Sequence, residues 1–158
     1  MAEGLGAAPG PDAPPRSEGA TVKGVDSGVL RLLLEGDPQS KELLRQWRGV
    51  EIATTEATML GLSADALDAP ARLHASRRTA LERLRRKITV LPIDRRAVTE
   101  ASRRLTRPSR GAELLRLAEW GAFEASGCEE VFTFSPPPPG KWRVRVAKVT
   151  RTKPKKPK

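Results

Sequence analysis

Short β-branched runs alternate with helical runs along most of this chain, and that alternation restricts the fold more than any other feature. Thr21–Val25 reads as a strand. Ser27 to Glu35 follows as a helix, with Val29, Leu30, Leu33 and Leu34 on one apolar face. Gly36 stops it, and Pro38 opens a second helix, Ser40–Trp47. Val50–Ala53 is a short buried strand; Thr54 and Thr55 cap a helix through Leu62. Ala71–Lys87 is a long basic helix with Leu73, Ala80, Leu81 and Leu84 turned inward. Ile88–Ile93 is the next strand, and Asp94 caps the helix Arg95–Leu105. Ala112–Ser126 is a helix closed by Gly127, and Glu130–Phe134 is a strand. Pro136–Pro139 form a stiff spacer. Trp142–Thr150 alternates strictly and reads as an amphipathic edge strand. Strands separated by helices imply an α/β fold with three layers, α/β/α, around a mainly parallel sheet. Such sheets build their sites at the carboxyl ends of the strands. The positions to inspect are Asp26-Ser27, Thr54-Thr55-Glu56, Asp94 and Ser135.

The ends of the chain lack this pattern. Residues 1–20 are rich in Gly, Ala and Pro and read as a disordered leader. Residues 150–158 form a basic, proline-broken tail with nothing to bury. One domain, residues 21–149, lies between them. Cys128 is the only cysteine, which excludes an internal disulfide and a cysteine zinc site. His74 is the only histidine, which argues against zinc hydrolases and Ser-His-Asp triads. His74 is expected on the helix surface, and Cys128 in the core beside Trp47, Trp120 and Phe123. No apolar run approaches the roughly 20 residues of a membrane span, and the N-terminus has no secretory pattern. A soluble cytoplasmic protein with no membrane contact is the expectation.

The formal charge of +10 is built from blocks of opposite sign. Residues 1–71 hold 6 basic and 11 acidic side chains, and residues 72–110 hold 13 basic and 3 acidic. Residues 111–140 hold 1 basic and 5 acidic; residues 141–158 hold 9 basic and none acidic. Carboxylates that hold a cation, beside Arg and Lys that hold phosphates, are the combination a metal-dependent nuclease requires.

The stretch VDSGVLRLLLEGD, residues 25–37, resembles the opening of PIN-domain ribonucleases, whose largest group is the VapC-type toxins. VEIATTEATMLGL (50–62), LERLRRKITVLPIDRRAVTEASRRL (81–105) and EASGCEEVFTF (124–134) resemble later pieces of that family in the same order. The resemblance spans about residues 22–135 and implies a PIN-like fold. It also implies Mg²⁺ or Mn²⁺ held by three or four carboxylates that hydrolyse RNA phosphodiester bonds.

Carried over by position, the resemblance makes Asp26 the first acid, with Ser27 the adjacent hydroxyl. Gly61 stands where many members carry the second acid, and Glu56, nearer the strand end, is the substitute. Counting back from Gly127 puts Arg116 at the third acidic position, with Glu113 and Glu119 each one turn away; Glu113 opens an ELL triplet like the family's Asp-Leu-Leu. Ser135 stands at the fourth. The catalytic and metal-ligating set on this reading is Asp26, Glu56 and Glu113.

RNA contacts fall to Arg77, Arg78, Arg85 and Arg86, whose spacings of seven and eight place them on one side of the basic helix. Trp142, between Lys141 and Arg143, is a candidate stacking platform. Lys153, Lys155 and Lys156 form a sequence-blind tail. Two functions compete: a metal-dependent endoribonuclease of the toxin or RNA-processing kind, and a non-catalytic RNA-binding or assembly module on the same fold. The family also implies an antitoxin-like protein partner and a homodimer through the apolar helices of residues 29–47.

Overall fold

All four strand pairings are parallel, so no two neighbouring strands are joined by a hairpin. The computed structural model describes residues 21–151. The leader and the tail lysines Lys153, Lys155 and Lys156 lie outside the described residues. The chain runs β1 (Val22–Val25), α1 (Ser27–Leu34), α2 (Ser40–Gln46), β2 (Glu51–Thr55), α3 (Glu56–Asp68), α4 (Ala71–Lys87) and β3 (Thr89–Leu91). It continues through α5 (Arg95–Ser102), α6 (Ala112–Ala125), β4 (Glu130–Thr133) and β5 (Arg145–Lys148). The sheet order is β3-β2-β1-β4-β5. The order reverses direction at β1, so the cleft between the ends of β1 and β4 is the topological switch point.

Helices cover both faces of the sheet. Val25, Ile52 and Phe132 pack with Val29, Leu30, Leu43, Leu62 and Leu81 on the α1–α4 face. Ala53, Leu91 and Val131 pack with Ala97, Trp120 and Phe123 on the α5–α6 face. This is the expected three-layer α/β/α arrangement, with Cys128, Trp47, Trp120 and Phe123 in the core. His74 is half-buried rather than on the surface, its Nε2 2.5 Å from Ala69 O.

Several boundaries differ from the sequence expectation, each for a local reason. The helix expected to end at Leu62 runs to Asp68, because nothing stops it before Pro70 pushes Ala69 into an extended conformation. The strand after α4 closes at Leu91, before Pro92, which has no N–H to pair. α5 ends at Ser102, where Arg104 and Leu105 bond three residues back and tighten the last turn. The last strand begins at Arg145, not Trp142. The amides of Arg143 and Val144 donate to the Glu124 carboxylate at 3.1 Å instead of to β4. Thr150, assigned to the tail, accepts a hydrogen bond from Gln39 through its carbonyl.

Helix α6 sits unusually close to its neighbours. A Cβ on Gly24 would lie 2.7 Å from Phe123 Cδ1, and one on Gly121 would lie 2.2 Å from the Ala97 carbonyl. Glycine is therefore the residue that lets α6 rest on β1 and cross α5. Glu124, near the end of α6, is buried with its carboxylate fully engaged. It accepts from Arg104 Nη2 at 2.9 Å and Arg143 Nε at 2.8 Å, besides the two amides. Arg104 also stacks on Trp142, 4.5 Å from the ring centroid, and bonds Glu100 at 2.7 Å. This cluster fastens the segment after the prolines to α5 and α6.

Gly121→Ala should lower stability by about 3 kcal/mol through overpacking against the α5 backbone. Gly61→Ala, whose Cβ meets nothing within 4 Å in the middle of α3, should raise it by about 0.5–1 kcal/mol. Urea unfolding of both variants checks the pair. Glu124→Ala should cost about 2–3 kcal/mol, because it leaves Arg104 Nη2 and the amides of Arg143 and Val144 without their acceptor while Glu100 still compensates the Arg104 charge. The hydrogen bond from Arg104 holds the Glu100 carboxyl below its ordinary 4.5. Its contribution is therefore complete above 4.5 and fades as pH falls through the lowered value. The stability difference between wild type and Glu100→Gln should shrink over that acid range, as read by unfolding at a series of pH values.

Candidate site at the carboxyl ends of the strands

The registers Gly24↔Ala53 and Val25↔Phe132 put Asp26 level with Thr55 on one side and Thr133 on the other. Side chains alternate along a strand, so these three share the face of Gly24, Ala53 and Val131, beneath α6. Asp26 is the N-cap of α1: its Oδ1 accepts from Val29 N at 3.1 Å. Its Oδ2 accepts a short hydrogen bond from the Thr133 hydroxyl. Thr133 Oγ1 in turn accepts from Ser135 N at 3.1 Å. One strand away, Thr54 Oγ1 donates to the Val25 carbonyl at 2.8 Å and ties β2 to the end of β1.

Glu119 enters from α6. Its Oε1 accepts from Thr55 Oγ1 at 3.0 Å and from Thr58 Oγ1 at 2.8 Å. Asp26 and Glu119 are thus neighbours across Thr55. Arg116 lies one turn earlier on α6, and its Nη2 is buried without a hydrogen-bond partner among the described residues. The site is a rank of hydroxyls, Thr55, Thr58 and Thr133, carrying two carboxylates, with a guanidinium one turn along.

The expected set of Asp26, Glu56 and Glu113 does not converge. No group of three acidic, histidine or cysteine side chains able to hold a metal forms among the described residues. Glu56 is the exposed first residue of α3. Glu113 is exposed and pairs with Arg107 at 2.6 Å. Successive residues turn about 100° on a helix, so Glu113 points about 120° away from Glu119. Of the three candidates for the third acidic position, Glu119 is the one in contact with the strand ends. Ser135 is exposed. Two contributors carry no signal in the linear pattern: Thr133 is level with Asp26 only once the strand register is known, and Thr58 reaches Glu119 from the first turn of α3.

The nucleic-acid candidates divide likewise. Arg78, Arg85 and Arg86 are exposed on α4, whereas Arg77 is half-buried. Trp142 is committed to the fold. Its ring lies against Arg104 and Trp120, and its Nε1 donates to Pro138 O at 2.9 Å. It is therefore not a free stacking platform. The apolar side chains of residues 29–47 are largely used in the core, with Val29, Leu30, Leu32, Leu43 and Trp47 buried. Leu44, 55% exposed, is the large apolar side chain that they leave outside.

Neither a family model nor a curated protein matches the sequence. Solved structures do match the fold. The chain is similar to VapBC2 from Rickettsia felis, bound to a promoter DNA fragment, with a TM-score of 0.65 and 9% identity over 82% of this chain and 100% of that one. DNA-bound VapBC from Salmonella typhimurium gives 0.62 and 15% over 81% and 98%. VapBC-5 from Mycobacterium tuberculosis, a member of a family of toxin-antitoxin systems, gives 0.58 and 21% over 82% and 99%. The fold is PIN-like. No helix among the described residues is long and apolar enough to cross a membrane.

The sequence resemblance implies Mg²⁺ or Mn²⁺ held by three or four carboxylates, and the acids that meet here among the described residues are fewer. Among the described residues, Asp26 and Glu119 are the two carboxylates bound to the hydroxyls of the strand ends, Asp26 also accepting from an amide. Their hydrogen-bond donors are the Thr133, Thr55 and Thr58 hydroxyls and the Val29 amide, and none of these adds negative charge. Asp26 also has a structural task. Asp26→Ala should cost about 1 kcal/mol through loss of the α1 cap, and Asp26→Asn only a few tenths. Thermal unfolding checks this, and makes Asp26→Asn the cleaner variant for functional assays.

Proposed function

We propose that the protein is a PIN-like RNA-binding module that holds RNA without cleaving it. The observation that carries this reading is the make-up of the carboxyl-end cleft, in which threonine hydroxyls accompany two acids, Asp26 and Glu119, and no third acid joins them among the described residues. Charge supplies most of the affinity of a carboxylate site for Mg²⁺ or Mn²⁺, so halving the acids weakens the ion's hold steeply. RNA binding is supported by the exposed arginines Arg78, Arg85 and Arg86 and by the basic run that includes Lys153, Lys155 and Lys156.

The second reading is the metal-dependent endoribonuclease. It is favoured by the adjacency of Asp26 and Glu119 across Thr55, since Mg²⁺ often takes only one or two protein carboxylates. The likeness to toxin-antitoxin complexes extends both readings to an antitoxin-like protein partner.

One assay separates them. A mixed pool of RNA is incubated with the protein and Mg²⁺ or Mn²⁺, while binding is followed on the same pool. The expected result is salt-sensitive binding with intact RNA. Metal-dependent cleavage that disappears in Asp26→Asn and Glu119→Gln would establish the nuclease instead. Removing residues 150–158 should flatten the salt dependence of binding, because each lost phosphate contact lowers the slope by about 1.

A further inference from the structure

A basic groove lies apart from the carboxyl-end cleft, between α5 and the segment that follows the prolines. Two adjoining cavities form it. One, of about 280 Å³, is bounded by Arg95, Arg96, Thr99 and Arg143. The other, of about 520 Å³, is bounded by Arg103, Arg104, Gly140 and Lys141. Both include Glu100, Arg103 and Arg143, so they are continuous.

The charges of the groove are sorted by depth. Its acids face inward: the Glu124 side chain is 1% exposed and engaged by Arg104 and Arg143, and Glu100 is engaged by Arg103 and Arg104. Its cations face outward: Arg95, Arg96, Arg103, Lys141 and Arg143 are all exposed. Arg95 and Lys141 form no ion pair among the described residues. On α5, Arg95, Thr99 and Arg103 follow at intervals of four and make one stripe about 12 Å long. Arg143 and Lys141 line the opposite wall, held in place by the Glu124 cluster.

We propose that this groove is a track for the phosphodiester backbone of a single RNA strand. Four of its five outward cations are arginines, whose planar fork matches phosphate oxygens in pairs. Thr99 adds a hydroxyl donor. The nearest aromatic, Trp142, is already covered by Arg104 and Trp120, so the groove holds the backbone and does not read bases. An acidic peptide is the weaker occupant, because the lining residues offer no apolar side chain larger than Ala125 to anchor one of its own. The proposal rests on the RNA-binding reading above and deepens it by naming the surface.

The test is fluorescence anisotropy with a labelled mixed-sequence RNA 20-mer, alongside a DNA 20-mer and a poly-glutamate peptide, over a salt series. Arg95→Glu/Lys141→Glu in the full chain should weaken RNA binding at least tenfold and lower the salt slope by about 2. Arg95→Gln/Lys141→Gln should give a smaller loss in the same direction. Lys41→Glu/Arg48→Glu, at exposed positions given no binding role, makes the same change of charge and should lose less. Thermal unfolding confirms that each variant is folded. If wild type binds RNA and the groove variants bind it equally well, the groove is overturned and RNA binding stands. If wild type binds the peptide and not the RNA, both readings fall.

Discussion

The close seating of helix α6 is the constraint on which the rest depends. Two glycines make it possible: Gly24 lets Phe123 lie on β1, and Gly121 lets α5 cross at the level of Ala97. A helix held this near the sheet delivers functional groups from both of its ends. Glu119, towards the carboxyl ends of the strands, meets Thr55 and Thr58. Glu124, one turn and a half further on, gathers Arg104, Arg143 and the start of the last strand. The cleft and the basic groove are therefore two products of one packing event. A change that lifted α6 by an ångström would disturb both.

The two acids of α6 illustrate different uses of a carboxylate. Glu124 is enclosed by two guanidinium groups and two amides, which satisfy it completely and make it a structural fastener. Glu119 is only half-buried and receives neutral hydroxyls. Asp26 resembles Glu119 in this respect, with one amide and one hydroxyl. At the carboxyl-end cleft, threonine hydroxyls link the two acids to the strand ends.

Much of the fold was legible because helices and strands announce themselves through local period and punctuation. The sequence placed the strand-Asp-helix opening, the Asp94 cap, the Ala71–Lys87 helix and the Gly127 turn, each a matter of neighbouring residues. The start of β5 was not legible, since it depends on a carboxylate about twenty residues upstream capturing two amides. The site divides in the same way. The place of Asp26 at a strand end is readable locally, because it directly follows a short β run. The triplet that opens at Glu113 is a local pattern, whereas the contact of Glu119 with β2 depends on which face of α6 turns to the sheet. Trp142 looked free beside two charged residues, and only the tertiary structure shows Arg104 lying across it.

The parallel sheet has a consequence for how the chain assembles. β1 occupies the middle position, yet its partner β4 lies more than a hundred residues later, as Lys23 pairing with Glu130 records. Until residues 130–133 arrive, one side of β1 has its backbone N–H and C=O groups unpaired and one face uncovered by α6. Long-range pairing of this kind is slow, because loop-closure entropy is lost before the contacts that offset it form. A nascent chain of this protein therefore carries an open central edge through most of its synthesis. The switch-point cleft thus waits for β4, and a chain that stops short of residues 130–133 cannot present it.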